Sequence, residues 1–383
     1  MKYNFDEITD RRNTYSLKWD VKEGELPLWV ADMDFTTAPC IREAIEKRAA
    51  HGIFGYSIVP DEWAESYIYW WKKRHNLELQ KDWLIFCTGI VPAISSCVRK
   101  LTTPAEKVLI QTPCYNIFFN SIVNNGRFVV ESPLGFDGNK YYIDFERLEM
   151  DLSDPQVSLM ILCNPQNPTG NIWTKAELAK IGELCKKYGV TVISDEIHCD
   201  IVEPGKSYIP FASASEICAD ISVSCIAPTK CFNIAGINTA AVSIPNPLLR
   251  HKVWRGLNTD EVAEPNAFAM DATIAAFTKG EDWLNQLNEY LFENRKIAEK
   301  YISELSKNFT VIKGEATYLL WVKVSDNGNG DNFAEDLRNK TGLFVNGGAE
   351  YGKTGEDFVR INLACPRKVL LDALNCLKLY TTL

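Results

Sequence analysis

Along this chain, short runs of continuously apolar, often β-branched residues alternate with stretches whose apolar positions recur every three to four residues. The runs lie at 84–87, 107–111, 127–131, 157–163, 190–194, 221–226 and 239–244. Because successive residues in them are apolar, they predict strands covered on both faces. The 3.6-residue period between and before them predicts helices at 39–51, 60–76, 92–103, 115–125 and 174–188. Buried strands separated by helices imply a doubly wound α/β domain with a mostly parallel sheet, over residues 50–280.

The pattern changes after residue 280. Trp283, Leu287, Tyr290, Leu291, Ile297, Ala298, Tyr301 and Leu305 fall mostly on one helical face, which predicts a single long helix over 281–308. Strands at 310–312, 318–324 and 358–363 follow, with helices near 333–341 and 367–380. This is a smaller α+β domain, expected to combine residues 1–49 with 281–383. The Gly/Asn-rich stretch 325–332 reads as a surface loop within it, not as an interdomain linker.

Composition narrows the classes of function. Hydrophobic residues make up 46% and charged residues 24% of the 383, so the chain can bury a large core. The formal net charge of −9 disfavours a phosphate-backbone binder, so no nucleic acid is expected as partner. The apolar runs are too short to span a bilayer. MKYNFDEITDRRN lacks the apolar segment of a signal peptide. Twelve cysteines occur without a CxxC pair, which removes the common zinc and thioredoxin patterns. Several sit inside apolar runs as small buried hydrophobes. They are expected to stay reduced in the cytoplasm, and no metal is expected.

Three segments carry candidate chemistry, each following a predicted strand. The first is Cys163-Asn-Pro-Gln-Asn-Pro-Thr-Gly170. Its two Asn-Pro steps demand extended backbone at each Asn, which fixes the Asn side chains at the C-terminal edge of the sheet, where open α/β sheets bind ligands. The second runs from a buried strand into Asp195, Glu196 and His198. A carboxylate there is costly unless it meets a cation or a donor. The third, Ala227-Pro-Thr-Lys-Cys-Phe-Asn-Ile-Ala-Gly236, sets Lys230 amid small and apolar residues. Desolvation there would lower its pKa and free it to act as nucleophile or base. Singly, these segments also read as a connector, an N-cap or buried ion pair, and a surface lysine. Jointly they describe a Schiff-base cofactor site.

With these segments the chain resembles the fold-type I pyridoxal-phosphate enzymes, the aspartate aminotransferase superfamily. The resemblance runs over essentially the whole length and rests on NPQNPTG (164–170), SDEIH (194–198), APTKCFNIAG (227–236) and VRINLACPR (359–367). Leu28-Trp-Val-Ala-Asp-Met-Asp-Phe35, Gly52-Ile-Phe-Gly-Tyr56 and the histidine of DEIH are similar to the MalY/PatB-type cystathionine β-lyases, or cysteine C–S lyases. The resemblance implies pyridoxal 5′-phosphate as cofactor. Lys230 would hold it covalently and move the substrate's Cα proton. Asp195 would pair with the pyridine nitrogen, Asn167 would donate to the 3′ oxygen with His198 near the same edge, and Tyr115 would stack on the ring. Backbone N–H groups of Gly89, Ile90 and Val91, the Thr229 hydroxyl and Tyr56 from a neighbouring subunit would hold the phosphate. Arg360 would take the substrate carboxylate, with Trp29 and Asp32 on the substrate side.

Departures from the pattern occur. Asn116 and Ile117 stand where the family often has tyrosine and proline. Ala227 and Asn238 stand where classical aminotransferases carry a phosphate-binding serine and arginine. The implied activity is β-elimination of a thiol from L-cystathionine or a related cysteine thioether, giving pyruvate and ammonia, in a homodimer with shared sites. An aminotransferase using the same residues and a protein-binding regulator are the alternatives.

Overall fold

The computed structural model describes residues 2–325 and 327–383. Seven strands form the main sheet: β1 (Leu84–Cys87), β2 (Lys107–Thr112), β3 (Phe128–Pro133), β4 (Val157–Cys163), β5 (Thr191–Asp195), β6 (Ser222–Ile226) and β7 (Ala240–Ser243). Their order across the sheet is β1-β7-β6-β5-β4-β2-β3. β7 runs antiparallel to both its neighbours, and the pairings of β2 with β3 and β4, of β4 with β5, and of β5 with β6 are parallel.

The apolar runs are buried on both faces because alternate side chains enter different cores. Val108, Ile110, Leu159, Ile161, Ile193 and Val223 pack under the helices α1 (Ile90–Leu101) and Pro247–Thr259. Leu109, Met160, Leu162 and Val192 pack on the opposite side against α2 (Lys175–Lys187). That helix opens with a capping box between Thr174 and Glu177. The helices Pro247–Thr259 and Ala269–Lys279 escape the hydrophobic pattern. The second is apolar or small around most of its surface and is buried accordingly, so no polar stripe marks it.

A four-stranded antiparallel sheet follows. It contains β8 (Thr310–Val311), β9 (Leu319–Lys323), β10 (Asn346–Gly347) and β11 (Phe358–Asn362), in the order β8-β9-β11-β10. The long helix Glu281–Leu305 serves two cores. Trp283, Leu284, Leu287 and Leu291 join an aromatic cluster with Trp63, Trp70 and Phe232, while Ala298 and Ile302 pack behind β9 and β11. The N-terminal Leu26–Pro27 pairs in parallel with Leu343–Phe344. The helix Pro39–His51 sends Ile41 into the aromatic cluster. Of the stretch read as a loop over 325–332, Asp326 lies outside the described residues, and the helix Gly330–Thr341 already begins within it. Gly330 is needed there: a Cβ would come within 2.3 Å of the Phe358 carbonyl oxygen. Met1 also lies outside the described residues. Among the described residues no helix is long and apolar enough to cross a membrane. The twelve cysteines are free, ten of them buried.

Candidate active site

The strand ends build the site. β1 ends at Cys87, β4 at Cys163, β5 at Asp195 and β6 at Ile226, so Thr88–Gly89, the NPQNPTG turn, Glu196–His198 and the Lys230 loop all leave the same edge of the sheet. Between them lies a cavity of about 220 Å³. Gly89, Ile90, Val91, Tyr115, Asn167, Asp195, His198, Thr229 and Lys230 all line it. Tyr115 faces it from the link between β2 and the helix Ile117–Val123, which starts two residues later than its sequence pattern suggests. Helix α1 instead starts two residues earlier than its pattern suggests. Its first turn is therefore Ile90–Val91, entered from Gly89, and no side chain caps it. Uncapped N–H groups and the positive helix end make an anion site at this wall.

The lysine, the acid and the imidazole influence one another. Burial, followed by the charge of Arg360, pushes the Lys230 pKa down to about 8, with Asp32 and Asp195 opposing. Burial pushes Asp195 up to about 6, against the Ile197 N–H that its Oδ1 accepts at 3.1 Å and against Lys230. Burial, with Lys230 and Arg360, pushes His198 down to about 3, so its ring is neutral at physiological pH. The Nδ1 of that ring is buried with no hydrogen-bond partner in the protein, and the ring stands edge-on to Tyr318 at 5.8 Å.

Arg360, on β11, stands behind the lining residue Asn167 and is not itself part of the cavity wall. Nη1 of Arg360 donates to Asn167 Oδ1 at 3.4 Å, and Nη2 donates to the Trp29 carbonyl at 2.9 Å. Its Nε is buried without a partner, and Tyr351 lies under the guanidinium at 5.0 Å. Asn167 thus turns its acceptor to Arg360 and keeps its amide donors for a ligand. Trp29 and Asp32 do not line the cavity. The Trp29 ring stacks on Phe344 at 4.9 Å, and the Asp32 carboxylate pairs with Arg11 at 2.6 Å. Tyr56 does not line the cavity and is fully exposed, in a run with exposed Ile53, Phe54, Ile58 and Val59.

Several site groups have weak signals in the sequence. Lys230 Nζ donates to the carbonyl of Ala31 at 2.5 Å, and Tyr318 Oη donates to the same oxygen at 2.9 Å. Asn362 holds the carbonyls of Val30 and Asp32, and Asn233 holds those of Met33 and Phe35. The N-terminal segment is thereby tied both to the arginine strand and to the lysine loop. The acids of Leu28–Phe35 face basic partners: Asp34 meets Lys18 at 2.7 Å and Arg11 at 2.8 Å. A main-chain acceptor such as Ala31 leaves no trace in residue type. Asn233, three residues after Lys230 and held at φ 54°, does leave one.

The α/β sheet, the lysine at its carboxyl edge and the acid facing it define a class, and the chain belongs to the class I and II aminotransferase family, whose model matches residues 24–377. It is 41% identical over 383 residues to cystathionine beta-lyase PatB of Bacillus subtilis (strain 168), covering 98% of this chain and 99% of PatB. Cystalysin from Treponema denticola, whose structure contains a pyridoxal 5′-phosphate cofactor, is similar with a TM-score of 0.95 at 31% identity, covering 100% of this chain and 99% of that one. A PLP-bound C–S lyase from Staphylococcus hominis is similar with a TM-score of 0.93 at 33% identity, again covering 100% and 99%.

Proposed function

We propose that this chain is a pyridoxal-phosphate-dependent C–S β-lyase that converts L-cystathionine, or a related cysteine thioether, and water into a thiol, pyruvate and ammonia. The observation that carries the reading is the grouping of Lys230, Asp195 and an unpartnered, neutral His198 around one cavity beside an uncapped helix start. Those groups fit the cofactor: an amine for its aldehyde, a carboxylate for its pyridine nitrogen, ring-edge donors for its 3′ oxygen and N–H groups for its phosphate. When bound, pyridoxal phosphate supplies an electron sink for the pair left when a bond at Cα breaks.

The protein's own residues do the rest. Lys230 would hold the cofactor, and its amine, when free, would take the substrate's Cα proton. With a pKa near 8 it carries the proton readily and also releases it. Asp195 would meet the ring nitrogen as an anion, and that opposite charge would favour the protonated nitrogen. Asn167 and His198 would orient the ring edge, and Tyr115 would cover its face. Gly89, Ile90, Val91 and Thr229 would receive the phosphate, joined by Tyr56 of the partner subunit. Arg360 takes the α-carboxylate through its free Nε, while the Trp29 carbonyl holds the other side of its guanidinium. Asp32 acts on the same side by holding charge near Lys230. Loss of the Cα proton then drives the Cβ–S bond to break, with sulfur leaving as a thiolate.

In this reading the chain has a large domain over 50–280 and a small one formed by 1–49 with 281–383. It works as a homodimer in the cytoplasm, where its free thiols remain reduced. The exposed apolar run around Tyr56 supports the dimer. Incubation with L-cystathionine and no keto-acid acceptor tests the function. Pyruvate released in step with thiol is the expected result. Turnover that appears only on adding a keto acid would make the chain an aminotransferase instead.

A further inference from the structure

Glu350 stands outside the cavity, in the short 3-10 turn Ala349–Tyr351, and is exposed. It nevertheless ends a chain of side chains that begins at the arginine. Arg360 Nη2 donates to Asn346 Oδ1 at 3.4 Å. Asn346 Nδ2 donates to Glu350 Oε1 at 2.7 Å, and Asn116 Nδ2 donates to Glu350 Oε2 at 2.9 Å. The next residue, Tyr351, lies under the Arg360 guanidinium, and its carbonyl accepts from the Cys114 N–H at 2.9 Å. Asn116 and Cys114 flank Tyr115 in the sequence.

The chemistry of these groups fixes their direction. A guanidinium only donates, and a carboxylate only accepts. An amide between them satisfies both in one orientation: nitrogen toward Glu350, oxygen toward Arg360. Replacing the carboxylate with a group that can donate would let the amide flip and set its N–H₂ against the guanidinium. The second carboxylate oxygen meanwhile fastens the residue that follows Tyr115. An isolated exposed acid would contribute little. This one has both oxygens committed to amides, one on β10 and one beside Tyr115.

We infer that Glu350 is a positioning residue of the substrate site. It orients Asn346 so that Arg360 presents its free Nε to the α-carboxylate, and it couples the arginine strand to the Tyr115 loop. The inference rests on the reading of Arg360 given above. The test measures steady-state release of pyruvate from L-cystathionine by the holoenzyme. Glu350→Ala is expected to raise KM roughly fivefold, the scale of one lost hydrogen bond, with kcat within about twofold. The absorbance of bound cofactor should be unchanged. Asn346→Ala should raise KM to a similar extent, and the double variant should be no worse than the more impaired single one, because the two residues act in series. Additive effects on KM, or an unchanged KM in Glu350→Ala, would overturn the inference. Arg360→Lys separates it from the underlying reading. An unchanged KM there overturns both, whereas a raised KM there with an unaffected Glu350→Ala overturns this inference alone.

Discussion

At the residue scale, Lys230 concentrates most of the site's chemistry because its surroundings change its proton affinity. Its amine is protonated below about pH 8 and neutral above it. Only the neutral form attacks an aldehyde, so uptake of pyridoxal phosphate by the cofactor-free protein should accelerate as pH rises through about 8, followed by absorbance. Lys230→Ala should leave no cofactor fixable by borohydride and should cut turnover by roughly a thousandfold or more. A borohydride-fixed adduct in that variant would remove Lys230 from the role. Asp195 moves the other way. Its folded pKa of about 6 lies above the ordinary 3.8 because burial disfavours the anion. The stability this contributes is fully present below about pH 4 and is lost as pH rises through about 6. Cofactor-free Asp195→Asn, which cannot ionise, should therefore gain in thermal stability over the unsubstituted protein between pH 4 and 6 and keep that gain at pH 8. The same variant should retain bound cofactor but lose orders of magnitude in deuterium exchange at the substrate's Cα, since no anion then faces the ring nitrogen. Equal melting curves across that pH range would mean that Asp195 is not buried as a charge.

At the element scale, the turns after the strands matter more than the strands themselves. Gly170 closes the NPQNPTG turn at φ +75°, and a Cβ there would come within 2.9 Å of the Ala316 oxygen and of the Gly314 Cα. The same turn gives its Gly170 carbonyl to the N–H groups of Glu315 and Ala316. It therefore docks the segment leading into β9 onto the cavity edge. Gly170→Ala should cost about 1–3 kcal/mol, read as a lower denaturant midpoint, because both the backbone angle and the space exclude a side chain. A midpoint within error of the unsubstituted protein would show that the two backbones separate freely. The strands themselves were legible as apolar runs, because burial on both faces favours apolar residues at successive positions and leaves polar ones mostly near the strand ends. The start of α1 was not, because Gly-Ile-Val-Pro carries no capping side chain to mark it, and that missing cap is what leaves its N–H groups free for an anion.

At the scale of the whole molecule, Tyr56 offers a test of the proposed assembly. It is fully exposed on a run of exposed apolar residues and does not line the cavity of its own chain. If it completes the partner's phosphate site, Tyr56→Phe and Lys230→Ala chains should complement when refolded together or co-expressed. One site of each heterodimer carries both lesions and the other carries neither. Random mixing should then restore about a quarter of unsubstituted activity per total protein, given two-fold symmetry and full activity at the intact site. The experiment requires Tyr56→Phe to be strongly impaired alone. Activity equal to the mean of the two parent proteins would place Tyr56 outside the partner's site.

The seven strands of the main sheet, most of the helices, the lysine, the acid and the asparagine turn were legible from residue type and spacing. Apolar continuity and chemically distinctive side chains are local properties that survive in a linear reading. What only the tertiary structure decided is which groups face one another. The acids of Leu28–Phe35 look like candidates for substrate contact in the sequence, yet folding sets them against Lys18 and Arg11 and brings the Ala31 carbonyl to Lys230 instead. The coupling of Glu350 to Arg360 through Asn346 spans separate turns and strands, and a main-chain oxygen or an exposed acid has no pattern of its own. Such contacts arise from the packing of the N-terminal segment and β11 across the sheet edge, and that packing is a property of the whole chain.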